Sequence, residues 1–237
     1  MNAPNETRDF TPALRFRFLT RFYDRLIAAT LKEAPLKARL VAEVAAKRGE
    51  RVLDLGCGTG TLTLMLKRAT PEASVVGLDA DEEVLERARR KATEEGLEVE
   101  LVRGMSTSPP FPPGSFDHVV TSLMLHHLDR VAKERTLAAV RALLRPGGTL
   151  HVLDWGKAHG PLMRTAFLAV QLLDGFATTT DNVQGRLPEL MVRAGFDGVR
   201  ETLRARTVFG TVSIYAAKNS RDPSGIDTSR IQEREPA

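Results

Sequence analysis

Three glycines at alternate positions, Gly56, Gly58 and Gly60, close the run VLDLGCGTG, whose apolar part tolerates a single carboxylate, Asp54. Glycine lets a backbone approach a ligand closely, and a helix beginning just after such a turn offers free N–H groups, so a strand–glycines–helix unit is a ligand cradle. The spacing is GxGxG, with Thr61 where the dinucleotide fingerprint GxGxxG has its last glycine. A carboxylate near the end of a buried strand is costly without a partner, and a cationic amine on the ligand would be one. Further along, Asp79 ends the run SVVGLD, where its two oxygens match the vicinal hydroxyls of a ribose; Asp81 is the better cap for the helix that follows. His126 and His127 stand adjacent in LMLHHL and Asp154 and Trp155 close the run TLHVLDW. An imidazole can take a proton near neutral pH, but two adjacent residues at a helix start cannot both face one pocket.

The motif VLDLGCGTG resembles the first motif of class I S-adenosylmethionine-dependent methyltransferases. That resemblance implies that Asp54, Gly56, Cys57, Gly58 and Gly60 serve the methionine half of the cofactor, with the carboxylate turned toward its amino group, and that Asp79 and Ala80 lie at the ribose. Relatives commonly carry Gly-Asp-Ala after the third strand, where this chain has Gly104, Met105 and Ser106; Met105 is then left to pack on the purine and Ser106 to supply polar contacts. Ser122, at the end of DHVVTS, is expected at the cleft where donor and acceptor meet, and the resemblance extends from about Tyr23 to Lys218. Within the superfamily the chain looks most like the group of ubiquinone and menaquinone biosynthesis C-methyltransferases. The implied reaction is methyl transfer from S-adenosylmethionine to a small, hydrophobic or aromatic acceptor, such as a quinol or polyketide, at carbon or oxygen. His126, His127, Tyr23 and Asp154 are the candidates for deprotonating it. Two other readings predict different behaviour: a regulatory module would bind the cofactor without turnover, and a nicotinamide-dependent dehydrogenase would want GxGxxG.

No Asn/Asp-Pro-Pro-aromatic motif of nucleobase amine methylation is present, and Cys57 lies inside the glycine loop, the place of a small buried residue rather than a nucleophile. As the sole cysteine, it also excludes an internal disulfide framework, and no carboxylate or further histidine near the His pair stands at ligand spacing for a metal. A net charge of +4, from 34 basic and 30 acidic residues mixed along the chain, gives no footprint for nucleic acid. The first residues lack a secretory pattern, and PLMRTAFLAVQLLDGF is broken by Arg164, Gln171 and Asp174, too short for a membrane span. A cytoplasmic protein with at most peripheral membrane contact is expected, of open oligomeric state.

These residues need elements to hold them. From Arg51 short β-rich runs (RVLDL, SVVGLD, VELVR, DHVVTS, TLHVLD) alternate with helical ones, the pattern of a parallel sheet wrapped by helices. The architecture expected is a three-layer, Rossmann-like α/β sandwich with a seven-stranded, mostly parallel sheet whose last strand is antiparallel. In DEEVLERARRKATEEG, Val84, Leu85, Ala88 and Ala92 share a face. RVAKERTLAAVRALLRPGG is read as a helix stopped at Pro146. An N-terminal helical lid is expected over residues 1–36, with Leu14, Phe18, Phe22 and Leu26 recurring every fourth residue and Arg17, Arg21 and Arg25 beside them. The catalytic domain is expected over 37–218, with a helical insertion at about 158–194 made of two helices around a polar loop, ATTTDNVQGR. DGVRETLRART and TVSIYAAK read as a hairpin, and the polar residues 219–237 as a disordered tail.

Overall fold

The computed structural model describes residues 33–220. Tyr23 and the apolar stripe at 14–26, like nearly all of the polar tail, lie outside them. Helix α1 (Glu33–Val44) precedes a regular alternation: β1 (Arg51–Leu55), α2 (Thr61–Ala69), β2 (Ser74–Asp79), α3 (Glu82–Glu94), β3 (Glu100–Arg103) and β4 (Phe116–Ser122). A 3-10 turn at Leu125–His127 leads to α4 (Arg130–Leu143) and β5 (Leu144–Trp155). Three helices follow, α5 (Pro161–Asp174), α6 (Phe176–Val183) and α7 (Leu187–Arg193), and the hairpin of β6 (Asp197–Thr207) and β7 (Gly210–Lys218) ends the sheet.

The seven strands lie in the order β3-β2-β1-β4-β5-β7-β6, and β7 alone runs against its neighbours. Every strand from β1 to β5 therefore points its C-terminal end to the same edge. The order reverses between β1 and β4, and a crevice opens at such a switch point. One sheet face packs Leu53, Leu55, Phe116 and Val119 against Leu137 and Val140 of α4 and Leu190 and Met191 of α7. On the other, Val52, Val120 and Leu153 meet Leu40 and Val44 of α1, Leu62 and Leu66 of α2, and Phe167 and Val170 of α5. Each fully buried leucine or valine stabilises this sandwich by about 1.5–3 kcal/mol, so the seam is fixed by many such side chains rather than by any one.

Local chemistry explains most boundaries. Asp81 caps α3 by accepting a hydrogen bond from the Glu83 N–H at 2.8 Å, and Asp129 caps α4 through the Ala132 N–H at 2.8 Å. Four features depart from the reading of the sequence. Helix α1 was not anticipated, because only Leu40 and Val44 of its twelve residues are buried, which makes its apolar period faint. Helix α4 stops at Leu143, where β5 pairing begins with Leu144 beside Phe116, earlier than Pro146. The stretch read as a polar loop is helix α6: Thr178 and Thr179 turn their hydroxyls to the Gly175 carbonyl, and Thr179, Asp181 and Asn182 are buried rather than solvated. Asn219, grouped with the polar tail by composition, is also buried, and its amide donates to the carbonyls of Arg141, Leu144 and Arg145, closing the end of α4. Among the described residues no helix is long and apolar enough to cross a membrane.

Candidate active site

The glycine loop lies between the ends of β1 and β2. Asp54 is fully buried on β1 and accepts a hydrogen bond from the Thr63 hydroxyl of α2 at 2.7 Å. Burial pushes its carboxyl up to about 6, and the Thr63 hydroxyl and the Lys37 ammonium of α1 offset only part of that. Gly56 and Cys57 donate their N–H groups to the Leu78 carbonyl, which locks the loop to β2. A side chain at Gly56 would run into Met124, whereas a Cβ at Gly58 meets nothing within 4 Å. The loop is therefore closed toward β4 and open at Gly58. The Cys57 thiol is buried against Gly77, and burial raises its pKa, which makes it an inert packing group. At the tip of β2, Asp79 accepts the Gly58 N–H at 2.8 Å on one oxygen and the Asp81 N–H at 3.0 Å on the other. Each carboxylate oxygen has a further lone pair for a ligand.

Past β3, Met105 is exposed, but the Ser106 hydroxyl lies 3.2 Å from that of Thr136 on α4. At the end of β4 the chain turns sharply: Leu123 has φ of 54°, in the left-handed region, and donates its N–H to the Leu153 carbonyl at 2.7 Å. For a leucine that conformation costs about 1–2 kcal/mol, and such strain collects at functional sites. The turn directs Met124 over Gly56.

The two histidines then part. His126 is buried and places Nδ1 2.8 Å from Asp154 Oδ1, while its backbone N–H donates to Asp154 Oδ2 at 3.3 Å. Asp154, wholly buried on β5, also accepts the Trp155 N–H at 2.7 Å and the Asn182 amide at 3.1 Å. Burial alone would raise its pKa; the charge and hydrogen bond of His126, the Trp155 N–H and the Lys133 ammonium outweigh that and hold it below the usual carboxylate range. Because Asp154 is thus an acceptor, the His126 proton sits on Nδ1. His127 stacks on His126 with ring centroids 4.0 Å apart, yet it is exposed. Trp155 is buried and packs edge-on to Phe167 at 5.2 Å, inside the core.

A family model described as a methyltransferase domain matches residues 52–148. The chain is also 34% identical over 187 residues to a demethylmenaquinone methyltransferase of Thermus thermophilus, covering 71% of this chain and 82% of that one. The chain belongs to the class I S-adenosylmethionine-dependent methyltransferases. In fold the methyltransferase is similar to an S-adenosylmethionine-dependent methyltransferase of Aquifex aeolicus, with a TM-score of 0.57 at 21% identity, covering 76% of this chain and 88% of that one. It is likewise similar to one from Methanosarcina mazei, with a TM-score of 0.60 at 22% identity, covering 75% and 96%.

The residues of the loop suit that cofactor. A buried carboxylate displaced up to about 6 is short of a cation, and the loop beside it is open at Gly58. Of the residues singled out from the sequence, Asp54, Gly56, Cys57, Gly58, Gly60, Asp79 and Ala80 gather at the ends of β1 and β2, and Ser122, His126, His127 and Asp154 at the ends of β4 and β5. Thr63, Lys37, Met124, Lys133 and Asn182 also belong to the neighbourhood. The strained Leu123 has no sequence signature, and Asn182 sat within a stretch whose polarity suggested a loop.

Proposed function

We propose that this methyltransferase alkylates a small apolar or aromatic acceptor of the quinol class, at carbon or oxygen. The reading rests on its similarity, across most of both chains, to a relative that bears the name demethylmenaquinone methyltransferase. It is supported by the β4 turn, where the half-buried side chains of Leu123 and Met124 stand beside the exposed His127. A polyketide phenol offers the same nucleophile and is the nearest alternative acceptor.

In this reading Asp54 pairs with the amino group of the methionine part, the N–H groups of the Gly56–Gly60 loop line its backbone, and Asp79 accepts both ribose hydroxyls. Ala80 lies with Asp79 at the ribose, and Met105 packs on the adenine. Ser106 contributes less, since its hydroxyl is engaged by Thr136. Bound S-adenosylmethionine supplies an electrophilic methyl on a sulfonium. The protein's part is chiefly to hold a nucleophile in line with that methyl and to keep water out; such positioning can supply roughly 7–11 kcal/mol of a barrier. Ser122 and Met124 form the floor between donor and acceptor. His127, exposed beside that turn, takes the acceptor's proton, while Asp154 and His126 hold the turn that presents it. Tyr23 is a further candidate for that deprotonation in this proposal.

The purified protein, S-adenosylmethionine and a panel of short-chain demethylmenaquinol, its oxidised quinone and a polyketide phenol test the assignment by mass spectrometry. Methylated product and S-adenosylhomocysteine from the quinol but not from the quinone are expected, because only the reduced ring carries the ionisable hydroxyl. Turnover of the phenol alone would reject the quinol class, and binding of S-adenosylhomocysteine without turnover of anything would favour a regulatory module.

A further inference from the structure

We propose that Asn182, on the helix α6 inserted between β5 and β6, is a positioning residue for methyl transfer: it fixes the Asp154 carboxylate that fixes the His126–His127 turn. The inference rests on the reading above for its catalytic consequence, though not for its geometry. Asn182 is wholly buried, and the two hydrogens of its amide are both used, one on Asp154 Oδ1 at 3.1 Å and one on the Trp155 carbonyl at 3.3 Å. Exchanging its nitrogen and oxygen would aim a carbonyl at a carboxylate and another carbonyl, so its orientation is dictated by its neighbours. Asp154 Oδ1 thus receives Asn182, His126 and Trp155 together, and Oδ2 receives the His126 backbone N–H. With those donors in place the carboxylate has one orientation, and that orientation sets the proton of His126 on Nδ1 and seats the backbone of the turn.

Two straps from α4 hold the helix that carries Asn182. Arg130 pairs with Asp181, whose carboxylate lies also 3.6 Å from Arg186, and Lys133 donates to the Thr178 carbonyl. Arg130 and Lys133 are one turn apart on α4, so they meet α6 at two points. Lys133 is a fully buried ammonium with its pKa lowered by burial, a costly residue to keep for scaffolding alone, and its charge is felt at both Asp154 and Asp181. Backbone bonds add Ala158 N–H to the Val183 carbonyl at 3.3 Å, directly after Asn182. The inserted helix is thereby a part of the acceptor site although none of its residues needs to touch the acceptor.

The test uses the full-length protein with ¹⁵N-labelled histidine. In the long-range ¹⁵N–¹H spectrum, assigned with His126→Gln, His126 should show an Nδ1-bound, low-field proton in slow exchange with water. Asn182→Leu, nearly isosteric without donors, and Asn182→Asp, isosteric with the polarity reversed, should both move that signal and speed its exchange at least tenfold. On an acceptor that turns over, kcat should fall at least tenfold while the KM for S-adenosylmethionine stays within twofold. If Asn182→Leu does not fold, Asn182→Asp carries the same comparison. An unchanged His126 signal in a folded variant would overturn the proposal, and so would a moved signal with undiminished kcat. A wild type that shows the signal but methylates no quinol defeats only the acceptor class, because the spectrum requires no substrate.

Discussion

If Asp54 receives the amino group of the cofactor, binding must depend on pH in a direction and range that its burial sets. Its carboxyl stands near 6 in the free protein against an ordinary 3.8, which is roughly 3 kcal/mol against the charged form. For stability the sign is that of a raised carboxyl: the folded state is favoured while Asp54 is protonated, below 3.8, and that contribution is lost as pH rises through about 6. An ammonium placed beside the carboxylate reverses the balance, because its charge replaces the missing partner and drives the proton off. The ligand therefore binds the ionised form, and affinity should be flat above pH 7 and fall about tenfold by pH 5. Calorimetry with S-adenosylhomocysteine between pH 5 and 8, in buffers of different ionisation enthalpy, would read both numbers, with about half a proton released near pH 6. Asp54→Asn should bind more weakly at neutral pH and lose the slope. An affinity flat from pH 5 to 7.5 in the wild type, or a slope that survives in Asp54→Asn, would refute the assignment of the amino group to Asp54.

Asp79→Ala should weaken S-adenosylhomocysteine by roughly 1–3 kcal/mol, since the ribose hydroxyls lose their acceptor; calorimetry on the folded variant reads it. Gly58→Val should abolish measurable binding while leaving the protein folded, because its Cβ meets no protein atom and only the φ of 53° resists it, at about 1–2 kcal/mol of stability. His151 is buried beside His118, and burial, then His118 and Arg200, depress its pKa to about 3, so its contribution is complete above its ordinary 6.5 and is lost as pH falls toward 3. Urea unfolding should accordingly show His151→Phe losing about 3 kcal/mol less than the wild type between pH 7 and 4.5, two units below the unfolded value.

The cluster at the ends of β1 and β2 was legible because its spacing is local. Asp54, Gly56, Gly58 and Gly60 lie within seven positions of one another, and the strand and helix that frame them carry periods of their own. Asp79 follows from the same logic one strand later, at the end of a run whose burial is continuous until it reaches the sheet edge. The cluster at the ends of β4 and β5 is instead assembled across the chain. The distance in sequence from His126 to Asp154 is 28 residues, and from Asp154 to Asn182 another 28, and no periodicity links them. The histidine pair shows why: as a dipeptide its members are equivalent, and only the carboxylate arriving from β5 makes His126 the anchored residue and His127 the accessible one. The same carboxylate explains why ATTTDNVQGR misleads. A polar segment reads as a solvated loop when its hydrogen bonds are assumed to go to water. Here Thr179 bonds to Gly175, Asp181 to Arg130 and Asn182 to Asp154, so its polarity is the mark of a helix buried against a charged site. Polar residues in an insertion next to the C-terminal edge of a sheet are therefore better weighed by the buried charges they can satisfy than by their hydropathy, and in this methyltransferase that weighing joins α6 to the Asp154–His126 cluster.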